Sequence, residues 1–339
     1  MSGIRGHGLQ DLELGLATKA AWLSYVGGLT QEEIAARLRV SRVKVTRLVA
    51  TAQRAGLIRV FVEGPAPDCA ALEDRLRERF GLTFCAVTPS ADDGPLPLRT
   101  LASAGAHFLH RVLEQDEGAT VGIGHGRTLA AMVEQLPRQP RPCARFVSLL
   151  GSLTRRAAAN PFDVIHKLAE ITGGEGYFIP APFFADSLDD KLVLLAQKGL
   201  RDVVDLAGQA DLYLVGIGEV GPDAHLITHG MITPEEFREL ARAGAVGEVL
   251  GRFFDSTGRP VAADVNERAV AVDLERLRGK DVVAVAGGAA KPAAIAAVLR
   301  TGIVSGLITD EATARALCGG AAPATLSPNR REVEHAREG

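Results

Sequence analysis

The chain has 339 residues, of which 47% are hydrophobic and 23% are charged, and its formal net charge is −3. This composition is typical of a globular protein with a buried core, and the length favours two or three domains. It excludes a uniformly basic nucleic-acid binder, and no run approaches the roughly 18 apolar residues that a membrane span requires.

Positive charge is concentrated near the N-terminus. Up to Glu63 the chain has nine Lys and Arg residues against five Asp and Glu residues, a net of +4 that leaves about −7 for the rest. This asymmetry favours a nucleic-acid-facing head on an acidic body. The four cysteines include no CxxC pair and no apolar signal segment opens the chain, so we expect reduced thiols in a cytoplasmic protein.

The first 56 residues have the pattern of three short helices. Apolar residues repeat at helical spacing over residues 14–26, and Gly27-Gly28 would end that helix. Thr30 would cap a second helix, where Glu33 completes a capping box. Arg39-Val40 is the predicted turn before a third helix, so the segment resembles a helix-turn-helix.

The third helix has the properties of a recognition helix. Ser41 is its expected N-cap and Gly56 its end, while Val45, Leu48 and Val49 are spaced to face inward. Cations and hydroxyls on the opposite face would reach the major groove. The alternative is a plain helical pair with a solvated basic face. The residues predicted to contact double-stranded DNA are Thr30, Gln31, Ser41, Arg42, Lys44, Thr46 and Arg47.

The pattern also predicts the domain boundaries. Residues 57–62 are typical of a strand, which would form a wing, and residues 64–67 read Gly-Pro-Ala-Pro. We therefore predict a winged-helix-like helix-turn-helix domain over residues 1–63, a linker over 64–68 and a larger domain over 69–318. The remainder, 319–339, is rich in alanine, proline and charge, and we expect it to be disordered.

The larger domain alternates apolar runs with helical patterns, which predicts an α/β fold with a mostly parallel sheet covered by helices. Ligands of such sheets bind at the carboxyl ends of strands. The predicted strands are 85–87, 119–123, 145–149, 212–217, 282–286 and 306–308. The predicted helices are 98–113, 161–171, 189–197, 234–243 and 292–299.

A glycine-rich turn follows the second predicted strand, in ATVGIGHGRTLAAMV from Ala119 to Val133. Glycines allow close backbone approach to an anion, and a helix N-terminus offers free N–H groups. The segment is neither a Walker A loop nor a GxGxxG loop, and a tight strand-to-helix turn is the alternative. Glycines also end the strands near Gly218 and Gly288, the latter just before Lys291, so the three ends suggest one crevice.

Other candidate sites are weakly indicated. His225 and His229 have HxxxH spacing, and His107 and His110 lie in an amphipathic helical pattern, but neither pair has a third metal ligand. We therefore expect no metal and no cofactor. Spacing alone identifies no catalytic triad, since such groups meet only in space.

The chain resembles SorC-type (SorC/DeoR-like) bacterial transcriptional regulators from about Ala17 to Leu317. The segments that carry the resemblance stand in the same order and at similar spacing in that family. They are LTQEEIAARLRVSRVKVTRLVATAQRAGLIRV, VGIGHGRTL, YFIPAPFF, LVGIGEVG, GAVGEVLGRFFDSTGRPV and VAVAGGAAKPAAIAAVLRTGIVSGLITDEATA.

The resemblance implies a Rossmann-like effector and oligomerisation domain, similar to sugar-phosphate isomerases but without catalysis, in a homo-oligomer of four subunits. The effector would be a sugar, a sugar phosphate or a sugar alcohol. His125 and Arg127 stand where some family members have small residues, which leaves both a phosphate and a small polyol open. The residues implied to contact the effector are Gly124, His125, Gly126, Arg127, Thr128, Glu248, Asp255 and Lys291.

These observations predict a ligand-responsive transcriptional regulator of carbohydrate or polyol catabolism, rather than an enzyme. Effector binding would shift the population of subunit arrangements and so the spacing of the DNA-binding heads. One alternative is a sugar-phosphate isomerase or deaminase with an accessory DNA-binding head. Another is a constitutive DNA-binding protein whose body only oligomerises.

Overall fold

The computed structural model describes residues 4–58, 67–90, 96–153, 164–222 and 224–319. The chain divides into two compact units, with the boundary between Glu63 and Gly64. In the described ranges, no helix combines the length and the apolar character that crossing a bilayer would require.

The first unit is a small bundle of helices. Its elements are α1 (Ile4–Ala21), a π-helical turn (Trp22–Val26), α2 (Gln31–Leu38) and α3 (Arg42–Arg54). The first helix is longer than the predicted 14–26 and ends in a π-helical turn. It stops as predicted at Gly27-Gly28: a Cβ on Gly27 would lie 2.7 Å from the Leu23 carbonyl oxygen, and Gly28 has φ +64°.

Side-chain caps and a left-handed turn connect α2 and α3 as predicted. The Thr30 hydroxyl accepts from the Glu33 N–H while the Glu33 carboxylate accepts from the Thr30 N–H, and Ser41 accepts from the Lys44 N–H. Arg39 has φ 55°, so the chain reverses there. The buried core consists of Ala17, Ala20, Ala21, Ile34, Val45, Leu48 and Ala52.

Removing the cap of α2 should destabilise this unit modestly. We expect Thr30→Ala to lower its free energy of unfolding by about 1 kcal/mol, because the Glu33 N–H loses the hydroxyl that accepts its hydrogen bond. Urea unfolding followed by circular dichroism measures the change. Thr18→Ala, which removes an exposed hydroxyl from the last turn of α1, should have little effect, and equal losses in both variants would contradict a specific cap.

The predicted wing and tail lie largely outside the described residues, and the predicted linker is too long. Leu57 and Ile58 are irregular, and the rest of the predicted wing, 59–62, falls outside the described residues, as does 320–339 of the predicted tail. The predicted linker extends too far, because a helix begins at Pro67. Proline fits the first helical turn, and Cys69, Leu72 and Leu76 then recur at helical spacing on its buried face.

The second unit contains a seven-stranded parallel sheet and a smaller three-stranded antiparallel sheet. Its helices are α4 (Pro67–Phe80), α5 (Leu98–Gln115), α6 (Arg127–Gln135), α7 (Ile165–Thr172), α8 (Leu188–Ala196), α9 (Lys198–Ala207), α10 (His225–Thr228), α11 (Pro234–Arg242), α12 (Asp264–Arg268), α13 (Pro292–Arg300) and α14 (Glu311–Leu317). Its strands are β1 (Phe84–Thr88), β2 (Thr120–Ile123), β3 (Arg145–Leu153), β4 (Glu175–Pro182), β5 (Leu212–Val215), β6 (Gly218–Glu219), β7 (Gly247–Val249), β8 (Arg252–Phe254), β9 (Val282–Val285) and β10 (Gly306–Asp310).

All six predicted strands are present, and they form the parallel sheet together with β4, which the sequence analysis missed. β4 contains two prolines and lies at the sheet edge, where proline is tolerated, so its pattern is weak. The short strands β6, β7 and β8 were also missed. The predicted helix over 161–171 begins at Ile165, and residues 161–163 lie outside the described residues.

The strand order in the large sheet is β1-β10-β9-β5-β2-β3-β4. From β2 the chain proceeds outward through β3 to β4, then returns to place β5 on the other side of β2. The order therefore reverses between β2 and β5. A crevice opens at such a switch point, outside the carboxyl ends of the two strands.

Candidate functional site

The loop after β2 brings backbone N–H groups to the switch point. β2 is fully buried, and the Gly124 N–H donates to the Leu214 carbonyl at 2.8 Å, which fixes the loop against β5. Gly126 has φ +137°, a conformation that strains any other residue. Helix α6 starts at Arg127 without a side-chain N-cap, so its first N–H groups can donate hydrogen bonds to a ligand.

The carboxyl ends of β2 and β5 converge with the antiparallel sheet on one cleft. The empty space in the cleft is about 860 Å³, a figure that includes its open mouth. Seven of the eight residues expected at the effector line it. These are Gly124, His125, Gly126, Arg127, Thr128, Glu248 and Lys291.

Lys291 reaches the cleft from the residue before α13. Its ammonium donates to the Ile217 carbonyl at 2.6 Å and lies 3.4 Å from the Glu219 carboxylate. Both side chains are mostly buried, so the pair is screened far less than a surface ion pair. The glycine-ended segment near Gly218 thus supplies the Ile217 carbonyl and the Glu219 carboxylate that hold the Lys291 cation in place.

Glu248 on β7 is a buried carboxyl group in the cleft. Its Oε1 accepts from the Gly251 N–H at 2.6 Å. Burial raises the pKa of Glu248 to about 7, which the Gly251 hydrogen bond and the Lys291 charge oppose and the Glu219 charge reinforces. A carboxyl group that titrates near neutrality can donate a hydrogen bond to a ligand hydroxyl when protonated and accept one from it when ionised.

Two histidines complete the polar lining. The Ser148 hydroxyl donates to the Leu150 carbonyl at 2.7 Å, so its oxygen can accept from His125 Nε2, 3.2 Å away. This assigns the proton of a neutral His125 ring to Nε2. Burial, and then the charges of His229, Arg127 and Lys291, lower the pKa of His225 to about 4. His225 is therefore neutral at physiological pH.

Asp255 does not line the cleft, and its assignment as an effector ligand is not supported. Its Oδ1 accepts from the Thr257 N–H, the Thr257 hydroxyl and the Arg259 N–H, all within 3.0 Å. These bonds lower the pKa of Asp255, with the Thr257 hydroxyl as the largest cause. The carboxylate closes the turn after β8, a local role that turn-forming aspartates commonly have.

The glycine loop after β9 is occupied by the protein itself. The Gly288 N–H donates both to the Asp310 carboxylate and to the Thr313 hydroxyl, each at 2.9 Å. A Cβ on Gly287 would collide with the same carboxylate. The loop therefore positions Lys291 rather than binding a ligand through its own N–H groups.

Sequence reasoning missed several cleft residues. Glu219 follows the glycine-ended β5, so a carboxylate at that strand end was an available signal. Phe183 and Leu250 line the apolar side of the cleft, but an apolar residue in a loop carries no such signal. His225 was considered only as a metal ligand, and the described residues contain no group of three or more metal-ligating side chains.

In the first unit, α3 presents its polar face to solvent, with Arg42, Lys44 and Arg47 exposed. The Arg42 guanidinium lies 3.4 Å from the Glu32 carboxylate on α2. The Thr46 hydroxyl donates to the Gln31 side chain at 3.1 Å, which links the two helices. Val43 is 64% exposed on the same face, an apolar residue that the sequence analysis did not single out.

A basic three-helix unit and an α/β unit with a charged cleft at its switch point define a class, that of ligand-responsive DNA-binding proteins. The Sugar-bind family model, which describes a sugar-binding domain, matches residues 65–319. The chain therefore belongs to the SorC-type family of sugar-binding transcriptional regulators, as the resemblance predicted, and it is a sugar-responsive transcriptional regulator.

Individual relatives agree with this assignment. The chain is 46% identical over 311 residues to the erythritol catabolism regulatory protein EryD of Brucella abortus, covering 92% of this chain and 98% of EryD. It is 33% identical over 316 residues to the transcriptional regulator LsrR of Enterobacter sp., covering 91% and 94%. The full-length sorbitol operon regulator SorC of Klebsiella pneumoniae superposes with a TM-score of 0.68 at 25% identity, covering 89% and 98%.

Proposed function

We propose that the residues up to Glu63 form a helix-turn-helix domain that binds a palindromic operator. Helix α3 would enter the major groove, with Arg42, Lys44 and Arg47 on phosphates or base edges. Ser41, Thr30 and Gln31 lie at the N-terminal ends of α2 and α3, where a phosphate is favourably bound. Thr46, held by Gln31, would support this arrangement, and exposed Val43 would suit the methyl group of thymine.

Residues 69–318 would form a Rossmann-like effector domain that also joins the subunits, with 64–68 as the connection and four copies in the assembly. The observation that carries this proposal is the convergence of the β2 loop, Glu248 and the Glu219–Lys291 pair in one cleft. Carboxyl groups and carbonyls suit hydroxyl groups, while the α6 N-terminus with Arg127 suits an anion or terminal hydroxyls.

The effector we propose is a short sugar alcohol or its phosphate. The EryD relative, named for erythritol catabolism, supports a polyol. The charged residues of the cleft support it as well, because two carboxyl groups, Glu219 and Glu248, stand beside the cations Arg127 and Lys291. Such a site has hydroxyl acceptors in excess of what an anionic ligand alone would require. Binding would change operator affinity by selecting one subunit arrangement.

Thr128→Val tests the effector site. Thr128 is nearly fully buried in the first turn of α6, and valine keeps its shape while removing the hydroxyl. We expect the effector concentration for half-maximal response to rise about tenfold, the value of one lost hydrogen bond to a ligand. Operator affinity without effector should not change. Fluorescence anisotropy with labelled operator DNA measures both quantities.

Thr120→Val provides the matched control for this experiment. Thr120 lies at the other end of β2, is also buried, and its hydroxyl has no hydrogen-bond partner among the described residues. The control should respond to effector like the unmodified protein. An unchanged dose response in Thr128→Val, or the same shift in Thr120→Val, would remove the β2 loop from the effector site.

The catalytic alternative draws on one observation, the Glu248 carboxyl group whose pKa of about 7 would suit a general base. Incubation of the full chain with phosphosugars tests it. Our proposal predicts saturable binding without turnover. Isomerisation or ammonia release that Glu248→Gln abolishes would establish the enzyme instead.

A further inference from the structure

Helix α8 exposes apolar side chains on the face that points away from its own unit. Leu188, Leu192 and Val193 are 44%, 56% and 63% exposed, and none of the nine residues of α8 is buried. Its last five residues are all apolar. A helix that is apolar on more than one side is normally covered by another element or another chain.

The opposite side of α8 is firmly attached to the second unit. The Lys191 ammonium donates to the Glu267 carbonyl on α12 at 2.8 Å. Leu194 and Leu195 pack against a buried cluster beneath the helix, which consists of Ile179, Ala181, Ala185 and Val270. The outward apolar face therefore belongs to a helix that is packed against its own unit, not to a displaced helix.

Charged residues flank this apolar centre with opposite signs at its two ends. Asp186 lies just before α8 and Asp189 in its first turn, while Lys198 and Arg201, with Asp202 beside them, lie at the start of α9, just beyond the end of α8. A two-fold axis near Leu192 would run two copies of α8 antiparallel. The acidic end of each copy would then meet the basic end of the other, with the leucines between them.

We propose that the α8 surface, made of Leu188, Asp189, Leu192, Val193 and Lys198, is a two-fold interface with a second copy of this chain. The proposal rests on the proposed function, which requires paired DNA-binding heads. It adds the surface that joins them. Phe183, which lines the cleft, is only five residues before Leu188, so this interface is adjacent in the chain to the ligand site.

Sedimentation velocity of the full chain tests the interface. Leu192→Lys should weaken self-association at least about tenfold, as charges buried in an interface centre do. Phe178→Lys is the matched control: Phe178 is 40% exposed on β4, beside His166 on a different face, and this variant should associate normally. Asp189→Lys should also weaken association, and adding Lys198→Asp should restore it.

Cross-linking provides a second test that does not depend on a disruptive variant. Val193→Cys lies near the proposed axis, so in a Cys143→Ser background, which removes an exposed thiol, oxidation should yield a covalent dimer. Phe178→Cys in that background should not. If Leu192→Lys assembles normally and Val193→Cys forms no cross-link, the α8 interface is wrong. If operator binding and effector response persist in that case, the proposed function still stands. A wild-type chain that stays monomeric would overturn the α8 interface too.

Discussion

Replacing Arg42 and Arg47 together by alanine should weaken operator binding by about 100-fold or more and leave the effector response of the second unit intact. Each arginine is exposed on α3, away from the buried seam of Val45, Leu48 and Ala52. An arginine that contacts a base or phosphate contributes on the order of 1–3 kcal/mol. The loss should therefore be large without any change in folding, which circular dichroism and thermal shift with effector can verify.

The control removes the same charge from other parts of the head. Lys19→Ala with Arg54→Ala takes one cation from α1 and one from the last turn of α3, both exposed. It matches the change in net charge, so it reports the general electrostatic contribution to DNA binding. Anisotropy titrations should show a small loss for this pair. Equal losses for the two double variants, or intact binding by Arg42→Ala with Arg47→Ala, would refute α3 as the recognition helix.

Glu248→Gln should make stability depend differently on pH. The wild-type carboxyl has a pKa of about 7 in the fold against an ordinary 4.5, so the folded state holds its proton more tightly than the unfolded chain. The stability that the protonated Glu248 contributes to the fold is therefore fully present below about pH 4.5 and is lost as the pH rises through 7. Between pH 5 and 8 the wild type should lose about 2–3 kcal/mol relative to the variant, which cannot titrate.

Urea unfolding of both proteins at pH 5 and pH 8 measures this difference. The lowered pKa of His225 acts in the opposite direction, because the stability that the neutral ring contributes to the fold is lost as the pH falls from 6.5 toward 4. This residue is present in both proteins, so its effect largely cancels in the comparison. Glu235→Gln, on the exposed side of α11, controls for the substitution itself. If the difference in free energy of unfolding between wild type and Glu248→Gln is the same at both pH values, Glu248 is not a buried neutral acid.

The elements that sequence analysis predicted well have signals within a few residues. The Thr30–Glu33 capping box, the Ser41 cap and the helical spacing of Val45 and Leu48 are all local, and all are present in the structure. The strands of the parallel sheet are buried apolar runs, which the sequence displays directly. The glycines of the β2 loop, directly before the N-terminus of α6, are a local signal of the same kind.

What was missed depends on contacts between distant parts of the chain. Glu219 and Lys291 are 72 positions apart, and only the sheet order brings them within 3.4 Å. Asp255 lies in a segment that carries the family resemblance, but its three hydrogen bonds close a turn. A sequence pattern could assign the acid to a segment of the resemblance but could not show where its oxygens point.

Fluorescence anisotropy of the full chain on DNA from upstream of its own gene tests directly whether this protein is a ligand-responsive DNA-binding regulator. The titration uses a panel of sugars, sugar alcohols and their phosphates. We expect sequence-specific binding that one class of compound changes, with a dose response that Thr128→Val shifts and Thr120→Val does not. Salt-sensitive binding without sequence preference, unmoved by every compound of the panel, would contradict this function.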